Sequence, residues 1–335
     1  LECAYLFAPR DLRFVEREPL ELKSDEVRIG VGCSGICGTD IHVYSGMVFG
    51  SPITEPRPAG HEFAGRVIEV GSDVIDFKIG DRVTAIPATP CGTCFLCRSG
   101  RGPACPRRRG LRGGAWAPSI VAPAQNTFRL PDSVSDRWGA LTEPLACAVR
   151  AVDRSQLRTG SRVCVVGGGP IGLFTLMIAR ASGAQTTIVS EPRPYRQELA
   201  KKLGADYVID PTSVDLKSAV ADLTDGLGAD VVYEAVGHPK TIEQAISVAA
   251  PGATVVIIGV ADADHRISFP AQDMFFKELN ILGTKGPTYA VERAIGWLSK
   301  LDFEPIITHE FPVRQADFAI NLGMTGDAGK ILLTI

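Results

Sequence analysis

Between Gly35 and Glu62 the chain gathers side chains that can hold a metal, Cys37, His61 and Glu62, with the hydroxyl of Thr39 and the imidazole of His42 close by. A thiolate, an imidazole and a carboxylate suit Zn²⁺. A catalytic zinc takes about three protein ligands and leaves one position for water or substrate. Cys37, His61 and either Glu62 or a later carboxylate meet that requirement. The later candidate is Glu143, in Leu141-Thr142-Glu143-Pro144-Leu145. A carboxylate between apolar neighbours is costly to bury unless a cation compensates it. Glu143 reads as a further metal ligand, as an acid that orients water at the metal, or as an acid interacting with a helix N-terminal dipole.

A second set of donors follows the pattern C-x2-C-x2-C-x7-C: Cys91, Cys94, Cys97 and Cys105. Four thiolates on a short loop can close tetrahedrally around one zinc with no vacancy. Such a site is structural and replaces a core that the loop is too short to build. The adjacent Arg107-Arg108-Arg109 and Arg112 read as a solvated face.

A third chemistry belongs to Gly167-Gly168-Gly169-Pro170-Ile171-Gly172. This G-x-G-x-x-G run follows a strand pattern and opens a helix, the context that gives the motif meaning. Gly167 permits the tight turn, Gly169 lets backbone approach a pyrophosphate, and Gly172 allows helix and strand to pack closely. The phosphates are expected at the N-terminus of the helix that begins with Pro170 and Ile171. Nineteen residues after Gly172 stands Glu191, where an acid accepts hydrogen bonds from ribose hydroxyls and repels a 2′-phosphate. That favours NAD over NADP. Arg193 and Arg196 follow, either as adenosine contacts that soften the rejection of NADP or as a solvated turn.

The elements that must position these groups come in two kinds. Residues 1–150 read as mostly β, with strand patterns at 26–31, 64–70 and 81–86 bounded by Gly, Pro or Asp. Residues 151–286 alternate strand and helix, with six strand runs beginning near Arg162, Thr187, Tyr207, Asp230, Thr254 and Asn280. Alternation of this kind implies a doubly wound parallel sheet. Residues 287–335 end in a strand, Lys330–Ile335, and read as a return to the first domain, so the nucleotide domain is inserted. The length of 335 residues also favours two domains. A net charge of −3 argues against a nucleic-acid or anionic-membrane binder, and no apolar run reaches the length of a membrane span. The start of the chain lacks the layout of a signal peptide, and four cysteines at metal spacing fit a reducing cytoplasm.

Taken together, Gly35-Ile36-Cys37-Gly38-Thr39-Asp40, Gly60-His61-Glu62-Phe63-Ala64-Gly65, the four-cysteine lobe, Thr142-Glu143-Pro144-Leu145 and Gly167–Gly172 resemble the zinc-containing medium-chain alcohol and polyol dehydrogenases. The threonine and sorbitol dehydrogenase branches are the most similar, and the resemblance covers essentially the whole chain. It implies an α/β protein, a GroES-like β catalytic domain plus an inserted Rossmann domain, with the active site in the cleft between them. It implies that Cys37 and His61 ligate the catalytic zinc, with Glu62 and Glu143 as the accompanying carboxylates. Thr39 matches the hydroxyl that meets the substrate oxygen, and His42 the imidazole that ends a proton relay. Cys91, Cys94, Cys97 and Cys105 match the structural zinc site, and Glu191 and Arg196 the adenosine-ribose contacts. The implied reaction is oxidation of a secondary alcohol of a polyol, cyclitol or sugar to a ketone, with hydride passing to NAD. L-Threonine is the alternative substrate. The segment from Tyr44 to Pro58, expected to line the pocket, follows neither branch. The family implies a homotetramer or dimer. The rival readings are a zinc-free quinone or enone reductase on the same fold and a non-catalytic dinucleotide-binding protein.

Overall fold

The computed structural model describes residues 1–48 and 51–335. The chain divides into two compact units. One contains Leu1–Ala146, Pro287–Thr325 and Lys330–Ile335; the other contains Cys147–Gly286 and Gly326–Gly329.

The first unit is built on a seven-stranded sheet. Its central strand, Glu26–Gly35, pairs antiparallel with Glu62–Val70 on one side and with Lys330–Thr334 on the other. Ser119–Pro123 also pairs with it, Arg82–Ala85 extends the sheet beyond Glu62–Val70, and Ile307–Pro312 lies parallel to Lys330–Thr334. Alternation places Val27, Ile29 and Val31 in a core with Phe63, Val67, Val83 and Ile120. Burial of that face fixes the register, because a slip of one residue would turn every side chain to the other face. The register that results sets Gly35 opposite Glu62, and Leu332 opposite Gly35. Cys37 and His61 therefore leave the sheet at the same end, one on each side of the Gly35–Glu62 pair.

The second unit holds six parallel strands: Arg162–Val166, Thr186–Ser190, Tyr207–Ile209, Ala229–Glu234, Ala249–Ile257 and Asn280–Gly283. Numbered along the chain, their spatial order is 3-2-1-4-5-6, the doubly wound arrangement. Arg162–Val166 and Thr186–Ser190 are rich in β-branched residues, as central strands of a sheet covered on both faces require. Val163, Cys164, Val165, Ile188, Val232 and Val255 are fully buried. The mixed α/β class is the one expected from the alternation of patterns. Gly326–Gly329 group with this second unit, which nothing in the local sequence announces. Among the described residues, no helix is long and apolar enough to cross a membrane.

Candidate metal centre and cofactor site

Cys37 ends the turn that follows the central strand and caps the short helix Gly38–Tyr44. His61 and Glu62 stand at the start of the strand Glu62–Val70. Ligand atoms of Cys37, His61 and Glu62 all lie within 4.8 Å of one another. Asp40 ties the two loops together. One carboxylate oxygen accepts the backbone N–H of Cys37 at 2.9 Å, and the other lies 3.5 Å from Nδ1 of His61. Burial lowers the pKa of His61, but Asp40 and Cys37 outweigh it and hold the imidazole well above its usual range. Burial, then Glu62, pushes the Cys37 thiol up. Both groups therefore hold protons that a metal would displace.

Glu62 is fully buried. Its Oε2 pairs with the ammonium of Lys330, itself buried, while Oε1 has no hydrogen-bond partner among the described residues. A buried carboxylate oxygen left unpaired is costly unless a cation or water takes it up. The donor set and this orphaned oxygen fit a zinc ion. Glu143 lies outside the cluster, buried in the first turn of the helix Thr142–Ser155. Thr39 and His42 share the Gly38–Tyr44 helix three positions apart, the spacing of one helix face. Thr39 is partly buried and His42 exposed. Of the Tyr44–Pro58 segment expected to line the pocket, Phe49 and Gly50 lie outside the described residues.

The four lobe cysteines also gather with their sulfurs within 4.8 Å of one another. Hydrogen bonds from Thr93 hold Cys91 down to about 5, whereas burial and the sulfurs of Cys94 and Cys105 push Cys97 up to about 12. Four such thiols cannot all ionise together without a cation, which fits a closed zinc site. The neighbouring arginines are not a merely solvated face. Arg109 pairs with Asp25 and Arg112 with the buried Glu26, so they fasten the lobe's exit to the start of the central strand.

In the second unit the helix Pro170–Ala181 follows the glycine run, with Gly169 as its N-cap. A Cβ at Gly172 would collide with the carbonyl of Gly167, so glycine is what lets the helix settle onto the turn. The first-turn N–H groups receive no side-chain cap, which suits a phosphate. Glu191 is buried at the end of the Thr186–Ser190 strand, and its two oxygens accept the N–H groups of Gly168 at 2.7 Å and Arg193 at 2.9 Å. The acid is thereby fixed against the glycine run. Arg196 donates to the carbonyl of Ala328 at 3.1 Å.

Residues 23–132 match the alcohol dehydrogenase GroES-like domain and residues 170–300 match the zinc-binding dehydrogenase domain. L-Threonine 3-dehydrogenase of Pyrococcus abyssi is 38% identical over 320 residues, 92% of this chain and 91% of that protein. Sorbitol dehydrogenase of Halalkalibacterium halodurans is 36% identical over 317 residues, 92% of this chain and 91% of that protein. The chain belongs to the zinc-binding dehydrogenases. Among solved structures, a Sinorhizobium meliloti protein described as a zinc-binding dehydrogenase and solved with NADP bound matches with a TM-score of 0.93. It is 32% identical, and the match covers 100% of this chain and 99% of that one.

The dehydrogenase is thus an enzyme of the medium-chain alcohol and polyol type, and the non-catalytic reading falls. Three residues that position the Cys37–His61–Glu62 cluster were given no role in the sequence reading. Asp40 closes the Gly35–Asp40 motif and stands at the third position of a short helix, a capping signal, but its contact with His61 is not readable there. Lys330 is a lone cation heading an apolar strand, Lys330-Ile331-Leu332-Leu333. Trp116 packs on Gly60, and its indole N–H donates to the carbonyl of Gly35 at 3.4 Å, so it braces both ligand-bearing turns.

Proposed function

We propose that the dehydrogenase reversibly oxidises a secondary alcohol of a polyol, cyclitol or sugar to a ketone, with NAD as hydride acceptor. The observation that carries this is the convergence of Cys37, His61 and Glu62 beside the helix that bears Thr39 and His42. Cys37 and His61, with Glu62 or Glu143, would hold the catalytic zinc, and Cys91, Cys94, Cys97 and Cys105 a structural one. When bound, zinc supplies a Lewis acid that lowers the pKa of an alcohol, and the dinucleotide supplies the site that accepts hydride. The chain's own residues then handle the proton. The Thr39 hydroxyl orients the substrate O–H and accepts its proton while releasing its own. The His42 imidazole, exposed and on the same helix face, ends the relay and passes the proton to solvent. Gly167, Gly169, Pro170, Ile171 and Gly172 would seat the pyrophosphate, and Glu191 with Arg196 the adenosine ribose. A fixed anion at Glu191 disfavours a 2′-phosphate, which supports NAD.

A second substrate reading is L-threonine, favoured by the likeness to the Pyrococcus abyssi enzyme. Threonine and sorbitol share a secondary alcohol with a polar group on the adjacent carbon, so one metal site serves either class. The family resemblance supports a homotetramer or dimer, and four cysteines at metal spacing suit a reducing cytoplasm. The test is reduction of NAD⁺ and of NADP⁺ by the zinc-loaded enzyme across sorbitol, xylitol, cyclitols, aldoses and L-threonine. Turnover on a polyol or sugar with NAD⁺ is expected. Turnover on L-threonine alone would replace the first reading with the second. Full activity in Cys37→Ser would overturn the metal assignment.

A further inference from the structure

We infer that Lys330 is a positioning residue of the metal centre: it engages one oxygen of Glu62, so that the carboxylate meets the metal through its other oxygen alone and leaves open the position the substrate needs. The inference rests on the zinc reading of the Cys37–His61–Glu62 cluster and concerns how that cluster is kept open.

Lys330 begins the strand Lys330–Thr334, yet it is only 1% exposed. A lysine buried that deeply keeps its charge only beside a partner. Its ammonium donates to Glu62 and also to the carbonyl of Ile36 at 2.7 Å. Ile36 directly precedes Cys37, and Glu62 directly follows His61. One cation thus grips the chain beside each of two metal donors. Its place is made by Gly35, where a Cβ would lie 2.9 Å from Cε and 3.2 Å from Nζ of Lys330.

The charges explain why a cation belongs there. A Cys37 thiolate, the Glu62 carboxylate and Asp40 crowd one small volume, and all would draw a dication strongly. A catalytic zinc must nevertheless keep a position vacant. Glu62 Oε1, buried and unpaired, is left to serve as a donor, and Oε2, if released, could fill that vacancy. Lys330 opposes this by holding Oε2 and by subtracting from the local negative field.

The test uses the full chain exchanged with Co²⁺, read by visible absorption and by competition with a chelator. Lys330→Met should bind Co²⁺ at the Cys37 site more tightly, on the order of tenfold, because a nearby positive charge is gone. Its visible bands should weaken as Glu62 adds a donor and raises the coordination number. A role in packing alone predicts the opposite sign, so weaker or unchanged affinity with unchanged bands overturns the inference. Should Lys330→Met fail to fold, Glu62→Gln carries the test. It removes a charged donor and leaves Lys330 unopposed, so Co²⁺ binding should weaken by more than about tenfold, and Lys330→Met/Glu62→Gln should recover about tenfold of that loss; no recovery overturns the inference. A Glu62→Gln protein of unchanged affinity also overturns the inference. Failure of the zinc reading is separately visible: the unaltered protein would then bind no Co²⁺ at a site that Cys37→Ser abolishes.

Discussion

Gly60→Ala is the substitution that best separates backbone strain from disruption of the metal centre. Gly60 has φ of +81°, a region where a side chain costs about 1–2 kcal/mol. Its added Cβ would lie 2.5 Å from Nε1 and 2.8 Å from Cγ of Trp116, and closer still to Cδ1. Trp116 is 1% exposed and cannot swing away. Overpacking of this kind adds about 1–3 kcal/mol. The total is about 2–5 kcal/mol, a large part of the stability of an ordinary domain. Gly80 supplies the control: its φ is +94°, and nothing lies within 4 Å of a Cβ added there. Gly80→Ala should therefore lose only the strain of about 1–2 kcal/mol. The two variants should differ in metal content as well. Ala115 N–H donates to the Gly60 carbonyl at 3.0 Å and the indole N–H to that of Gly35, so a displaced Trp116 moves both the His61 and Cys37 turns. Gly60→Ala should lose the zinc of the Cys37 site, and Gly80→Ala should retain it. The assays are thermal unfolding, near-ultraviolet circular dichroism and zinc content per chain. Equal destabilisation of the two variants, or a Gly60→Ala protein with full zinc, would refute the reasoning.

Four further outcomes are expected. Cys94→Ser should remove one zinc per chain and open the 91–105 loop to proteases, leaving the Cys37 site loaded with metal; limited proteolysis with metal analysis checks this. Glu191→Ala should weaken NADH binding about tenfold and raise the NADPH to NADH preference, because the acid both fixes Gly168 and repels a 2′-phosphate; fluorescence titration reads both. His42→Ala should slow turnover and alter the pH profile of kcat, and an unchanged profile removes His42 from the relay. Asp230→Asn should cost about 1 kcal/mol at neutral pH, since Arg162 beside Asp230 lowers its carboxyl pKa and the pair is partly screened. A depressed acid contributes above its unfolded pKa near 3.9 and loses that contribution as pH falls through its folded value. The difference between variant and parent should therefore shrink as pH falls below that unfolded value.

Groups whose chemistry depends on nearby residues were the most legible in sequence. The spacing Cys91, Cys94, Cys97 and Cys105 already describes a closed donor set, and the structure gathers those sulfurs. The glycine run is meaningful because a strand precedes it and a helix follows, and both are present in the parallel sheet. Cys37, His61 and Glu62 were legible as donor types, and their meeting follows from the register of two strands. Long-range partners were not legible. Lys330 lies 268 residues from Glu62 along the chain. Nothing in the Arg107–Arg112 run shows that Arg109 and Arg112 have Asp25 and Glu26 to meet, and a run of like charges by itself reads as solvated surface. Trp116 reads as one more core aromatic until its contact with Gly60 is seen.

This division between local and distant partners bears on how the two metal sites form. The lobe cysteines fall between Cys91 and Cys105, so bringing them together closes only short loops at small entropic cost. The Cys37 cluster needs Glu26–Gly35 and Glu62–Val70 paired in register, and its charge is balanced only when Lys330–Thr334 docks on the far side of the central strand. Contacts of such sequence separation form late because their closure entropy is met before they reward it. Zinc can therefore enter the four-thiolate lobe before the first unit is complete. The Cys37 centre becomes a site with an open position only after the last strand brings Lys330 to Glu62. Refolding with Co²⁺ should accordingly show the absorption of the tetrathiolate site ahead of that of the Cys37 site. The reverse order would place the long-range strand pairing before the closure of the lobe.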